Sequence, residues 1–129
     1  MDLDENALLS KLRSTFRSEA PGKIRIIRRA LFEASRNSSK QNRPDVLREI
    51  HNLKGISRIA SLPEIQMLCE KIERLLKNLD YPTPPTAYQA IMESLELIEE
   101  LSPFDEPNDQ RAATMCARLD DLLCLSRVE

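Results

Sequence analysis

A chain of 129 residues and 14.8 kDa has room for one domain of ordinary size, whose core is large enough to fold without disulfides or a metal. Its two glycines, Gly22 and Gly55, cannot build a P-loop or a dinucleotide fingerprint, which need several glycines a few residues apart, and its single histidine excludes a multi-histidine metal site. The net charge of −2 hides an asymmetry: residues 1–10 carry −3, residues 11–43 set ten Lys or Arg against Glu19 and Glu33 for +8, and residues 44–129 set nine basic against sixteen acidic side chains for −7.

The content of 41% hydrophobic and 31% charged residues, with only five aromatics among many Leu, Ile, Arg and Glu, favours helices over sheets. The first residues are acidic where a signal peptide would be basic, and no apolar run approaches the roughly 18 residues that cross a bilayer, so a cytoplasmic chain without membrane contact is expected. Cys69, Cys116 and Cys124 are odd in number, lack CxxC spacing and fall at apolar helical positions; they are expected to be reduced core residues.

Eight prolines punctuate segments of helical periodicity, since proline fits a first turn and breaks an interior. A first helix is expected at about 4–18, burying Leu8, Leu9, Leu12 and Phe16. A second, at about 21–36, buries Ile24, Ile27, Leu31 and Ala34 and leaves Lys23, Arg25, Arg29 and Arg36 outside. After a polar loop from Asn37 to Arg43, a third helix runs from about Pro44 to Ala60 with Val46, Ile50, Leu53, Ser57 and Ala60 inward.

The run Ser61-Leu62-Pro63-Glu64 reads as a capping box that opens a fourth helix. Its stripe is Ile65, Leu68, Cys69, Ile72, Leu76 and Leu79. Beyond the linker from Tyr81 to Pro85, a fifth helix to about Leu101 buries Tyr88, Ile91, Leu95 and Ile98. A sixth, capped by Asn108 and ending near Leu125, buries Ala112, Met115, Leu119, Leu122 and Leu123. The expected fold is all-α: one domain over 1–129, an antiparallel four-helix bundle with additional flanking helices at the N- and C-termini. With the stripes used up inside one bundle, a monomer is expected.

On a wheel of the third helix, His51, Gly55 and Arg58 fall opposite the apolar centre. Such a histidine would be idle were it not for its neighbours. Gly55 sits mid-helix, where glycine costs about 0.8–1.0 kcal/mol relative to alanine, and the missing Cβ lies one turn from His51, opening the imidazole to another protein's active site. Lys54 brings an ammonium to the same patch, where it can meet a phosphoryl oxygen, and Arg58 adds a second cation one turn on. A solvent-exposed imidazole near neutral pH carries a free lone pair and can act as a nucleophile toward phosphorus while its other nitrogen keeps a proton. Glu73, on the next helix and at a matching depth of the hairpin around Ser61, is placed to accept that proton's hydrogen bond.

These residues carry a resemblance. His51-Asn52-Leu53-Lys54-Gly55, the following run to Pro63, and Leu68-Cys69-Glu70-Lys71-Ile72-Glu73 resemble the histidine-containing phosphotransfer (HPt) domains of two-component phosphorelays, with their H-x-x-K-G pattern and a second helix often reading L-C-x-x-L-E. The resemblance is specific over 44–79 and consistent in helix order over about 4–101. It implies that His51 accepts the phosphoryl group, Lys54 assists it, Gly55 gives steric access and Glu73 holds the imidazole. Arg58 and Lys77 would face the partner. One departure is Ser61, which stands where the family usually has glycine.

By the same resemblance, the protein is a carrier rather than an enzyme. It takes phosphate from an aspartyl-phosphate receiver domain or hybrid kinase and passes it to a response-regulator aspartate. It needs no cofactor of its own, since Mg²⁺ belongs to the partner receiver. The basic segment, with Arg25 and Arg29, would suit an acidic receiver pocket. The alternative is a helical docking or adaptor module of HPt-like fold without chemistry. A nucleic-acid partner is not expected, because no recognition motif accompanies the basic residues.

Overall fold

The computed structural model describes residues 3–36, 43–79, 83–104 and 110–128. These form five helices and no strand: α1 (Leu3–Arg36), α2 (Arg43–Ile59), α3 (Pro63–Lys77), α4 (Pro85–Leu101) and α5 (Gln110–Val128). The first four close a ring in which α1 packs on α2 and α4, and α3 packs on the same two, so that α2 and α4 stand diagonally across the core. The fifth lies outside that ring against α3 and α4.

Contacts that descend one helix as they climb the next give the antiparallel order. The Arg13 guanidinium reaches Ala60 O at 3.0 Å while Lys23 lies 3.8 Å from Glu49, and the Thr83 amide donates to Ala34 O at 3.2 Å while Arg17 reaches Ser102 O at 3.0 Å. Phe16, Ile24, Ile50, Leu53, Ile65, Leu68, Ile72, Ile91 and Leu95 fill the centre, each with at most 1% of its surface exposed.

The stripes of α2, α3 and α4 bury as their periodicity requires, Tyr88 of α4 partly; Ala112, Leu119 and Leu123 of α5 are also buried. Met115 and Leu122 pack on that core while partly exposed. The expected cap at Asn108 and the loop residues 37–42 lie outside the described residues.

The N-terminal third departs from expectation. The two helices expected at 4–18 and 21–36 are one helix of 34 residues with Pro21 inside it. An interior proline removes one backbone hydrogen bond and costs about 3 kcal/mol. What outweighs it is the buried series Phe16, Ala20, Ile24, Ile27, Leu31 and Ala34, which crosses Pro21 in unbroken register and would lose its alignment if the helix stopped. Pro21 itself is exposed, so its ring stands on the solvent side of the helix. Leu8, expected in the core, is 58% exposed, because α1 extends past the turn between α2 and α3 that Arg13 marks. Leu9 and Leu12 are half-buried there.

Ser61 also plays a different part. It does not cap α3, whose N-cap is Leu62 with no side-chain hydrogen bond and with proline in the first turn. Instead Ser61 ends α2: its φ of 54° is left-handed, its amide donates to Arg58 O at 3.0 Å, and the Leu62 amide donates to Ser57 O at 2.9 Å. That pair of bonds is a Schellman stop, sealed by the buried Leu62 side chain. Arg13 adds bonds to the Ala60 and Ser61 carbonyls, so α1 holds the turn that sets α3 beside α2.

A serine in left-handed conformation is strained where glycine is not, by about 1 kcal/mol. Ser61→Gly is therefore expected to raise the free energy of unfolding in urea by about that amount, and Ser61→Val to lower it; an unchanged or lower midpoint for the glycine variant would contradict the assignment.

Candidate functional site

The α2 backbone projects His51 from the outer side of the helix, its side chain 66% exposed, on the flank nearest α3. Glu73, from the facing side of α3, is almost wholly buried and meets it: His51 Nδ1 lies 3.0 Å from Glu73 Oε2. Lys54, one turn along α2, donates from Nζ to the other carboxylate oxygen at 2.7 Å. Lys77, one turn beyond Glu73 on α3, stands 3.9 Å from Oε2. The register that makes this meeting possible comes from the tight Schellman turn, which places positions 22 residues apart at one level of the hairpin.

An ionised carboxylate at this depth is costly unless fully partnered. Burial alone would raise the pKa of Glu73. The hydrogen bonds from Lys54 and His51, followed by the charges of Lys54 and Lys77, outweigh it and hold the group below its ordinary 4.5. Glu73 is thus ionised at neutral pH and acts only as an acceptor, which assigns the proton of the contact to His51 Nδ1. The neutral imidazole then keeps its lone pair on Nε2, the nitrogen turned away from Glu73. A fixed tautomer on an exposed ring, with the second nitrogen left uncommitted by Glu73, is the chemical content of the site.

Beside the imidazole is a small hollow of about 110 Å³ lined by His51, Lys54, Gly55, Arg58 and Gln66. Its volume is enough for several water-sized groups. Gly55 leaves its outer edge bare: a Cβ built there would meet nothing within 4 Å. The glycine is therefore not required by packing within the chain. Arg58 is exposed. Arg25 and Arg29 are exposed on α1, Arg29 at 3.7 Å from Glu33, and neither joins the His51 constellation.

Gln66 was not singled out by sequence reasoning. Its signal was available, since it precedes Glu73 by seven residues, two helical turns on the same flank of α3. A larger hollow of about 470 Å³ lies between α4 and α5 over Leu97 and Met115. Ion pairs of Arg111 with Glu100 and Arg118 with Glu93 bridge those helices, and the histidine is elsewhere.

The cysteines divide. Cys69 and Cys116 are buried thiols pushed up in pKa by that burial, Cys69 further by the charge of Glu73 one turn away. Cys124, expected in the core, is exposed, because α5 has only one covered side and this position is off it. Among the described residues no group of His, Cys, Asp and Glu is arranged to hold a metal ion, and no helix is long and apolar enough to cross a membrane.

A four-helix ring that presents one exposed histidine, with its proton held from behind and open space in front, is the architecture of a phosphotransfer carrier. The family model of the Hpt domain matches residues 11–103, and the chain belongs to that family. The match runs from the third turn of α1 to the end of α4 and leaves α5 outside. No curated protein and no solved structure matches the chain. Membership in the family carries a phosphotransfer role in phosphorelays and interaction with receiver domains.

Because Glu73 titrates lower in the folded chain than in the unfolded one, its ionised form stabilises the fold at all pH values above the ordinary carboxylate range, and this contribution is lost as pH falls through the lowered value. Urea unfolding between pH 6 and pH 3 is expected to show a steeper loss of stability in the wild type than in Glu73→Gln, which at neutral pH should itself be weaker by about 1.5–3 kcal/mol, the range for a lost charged hydrogen bond. Parallel pH profiles would refute the buried, partnered carboxylate.

Proposed function

We propose that the protein is a phosphorelay intermediate in which His51 accepts a phosphoryl group from the aspartyl phosphate of one receiver domain and returns it to the aspartate of another. The observation that carries this reading is the contact of Nδ1 with Glu73, which leaves the Nε2 lone pair uncommitted on an exposed ring that lines the hollow. In the forward step that lone pair forms the N–P bond, the acyl P–O bond breaks, and its electron pair leaves with the aspartate carboxylate. The Nδ1 proton stays on the ring, where the imidazole gains positive charge opposite the Glu73 carboxylate.

The chain needs no kinase machinery for this, since the receiver brings the activated phosphate together with its acidic pocket and Mg²⁺. The reverse step follows the same path, so direction is set by the partners. The reading places the protein in the cytoplasm with receiver domains of hybrid kinases and response regulators as partners, acting as a monomer without membrane or nucleic-acid contact. The empty space at the Gly55 Cβ position lets the receiver approach the imidazole closely. Lys77 and Arg58 border the approach.

Incubation with a phosphorylated receiver domain is expected to place an acid-labile, base-stable phosphate on the wild type and none on His51→Gln. Gly55→Ala should unfold at higher denaturant, by up to about 1 kcal/mol, yet transfer at least tenfold more slowly, because the added methyl meets the partner and not the chain. Gly22→Ala, with equally open surroundings, should gain stability and keep full transfer. Equal labelling of His51→Gln, or no labelling of the wild type across a panel of receivers, would sink the proposal. Receiver contact by the basic face of α1 is checked separately: charge reversal at Arg25 and Arg29 should slow association and flatten its salt dependence, and unchanged kinetics would remove those two residues from the interface.

A further inference from the structure

Lys54 is the cation that the H-x-x-K-G resemblance assigns to the phosphoryl group, and the structure uses it otherwise. Its ammonium sits 2.7 Å from Glu73 Oε1, with only a quarter of the side chain exposed, and supplies charge compensation that the buried carboxylate requires. Moving Lys54 to a phosphate would strip Glu73 of its shortest contact just when His51 needs the carboxylate most. Two other polar side chains line the same hollow. Arg58 comes from α2 two turns past His51, with Gly55 between them leaving no side chain in the way. Gln66 comes from the first turn of α3. Among the described residues neither side chain has a hydrogen-bond or ion-pair partner.

We infer that Arg58 and Gln66, rather than Lys54, form the cradle that receives the phosphoryl oxygens on His51 Nε2. The inference rests on the phosphorelay reading and specifies its chemistry. A guanidinium presents a planar fork of donors to phosphate oxygens, which an ammonium cannot do, and it neutralises charge without drawing on the Glu73 network. The Gln66 amide supplies a further donor from the opposite wall. Gly55 therefore has a second use beyond partner access: it leaves the gap across which Arg58 reaches. Lys54 becomes a positioning residue that keeps Glu73 ionised and aimed at Nδ1, whereas Arg58 and Gln66 touch the transferred group.

Phosphoramidate tests this without any receiver. The Nε2 lone pair attacks phosphorus, the donor's P–N bond breaks, and ammonia leaves with the bonding pair. On phosphorylation of the wild type, ¹H–¹⁵N spectra are expected to show the Arg58 Nε–H and Gln66 side-chain amide signals shifting, while the Lys54 Nζ signal stays as in the unmodified protein; His51→Gln should show none of these changes. Arg58→Ala and Gln66→Ala, both at surface-accessible positions, should fold normally by circular dichroism and take up phosphate at least fivefold more slowly, with Arg58→Lys recovering only part of the rate. Phosphorylation at the wild-type rate in both alanine variants, or a shift at Lys54 with Arg58 and Gln66 unmoved, would overturn the cradle and leave the phosphorelay reading intact. Absence of any phosphate on His51 under these conditions would overturn the cradle as well, while labelling of the wild type by a phosphorylated receiver would still uphold the phosphorelay reading.

Discussion

The Glu73 carboxylate, sunk between α2 and α3 and shared by His51 and Lys54, is the constraint from which the rest of the site follows. A charge at that depth is tolerated only because two donors reach its two oxygens from the neighbouring helix. Those same bonds decide which imidazole nitrogen carries the proton and which is free to react. One interaction thus joins the packing of two helices to the tautomer of an exposed imidazole. Remove the carboxylate and the imidazole loses its orientation; remove Lys54 and the carboxylate is left short of positive charge.

Placing Glu73 requires a turn of fixed geometry three residues from the end of one helix to the start of the next. Ser61 accepts a left-handed backbone to make it, and Arg13 from α1 bonds the carbonyls around it. The long first helix therefore does more than cover one side of the core. It reaches past Pro21 without a break, and its N-terminal half secures the turn that sets the register of His51 against Glu73. Local strain at Ser61 and the interior proline are outweighed by apolar burial along α1 and at Leu62.

Periodicity was a sound guide where each helix has one continuous stripe, as in α2, α3 and α4, and depth along the hairpin sufficed to pair His51 with Glu73. It failed where a local signal allowed two outcomes. Pro21 fits the start of a helix as well as an interior, and only the shared register of Phe16, Ala20 and Ile24 distinguishes them. Serine before Leu-Pro-Glu fits an N-cap as well as a left-handed stop, and the burial of Leu62 settles which. Leu8 sits on a stripe that extends beyond what the neighbouring helices cover, and Cys124 sits off the one covered side of α5, tertiary facts with no local mark. Gln66 escaped notice because its meaning depends on a hollow formed by two helices.

The central claim, that Glu73 fixes the proton on Nδ1 and exposes Nε2 for reaction, is open to one direct measurement: the ¹⁵N chemical shifts and long-range ¹H–¹⁵N couplings of the His51 ring. The account predicts a protonated, pyrrole-like Nδ1 and a pyridine-like Nε2 in the neutral ring, with phosphate on Nε2 after modification. A neutral ring protonated on Nε2, or phosphate attached to Nδ1, would contradict it.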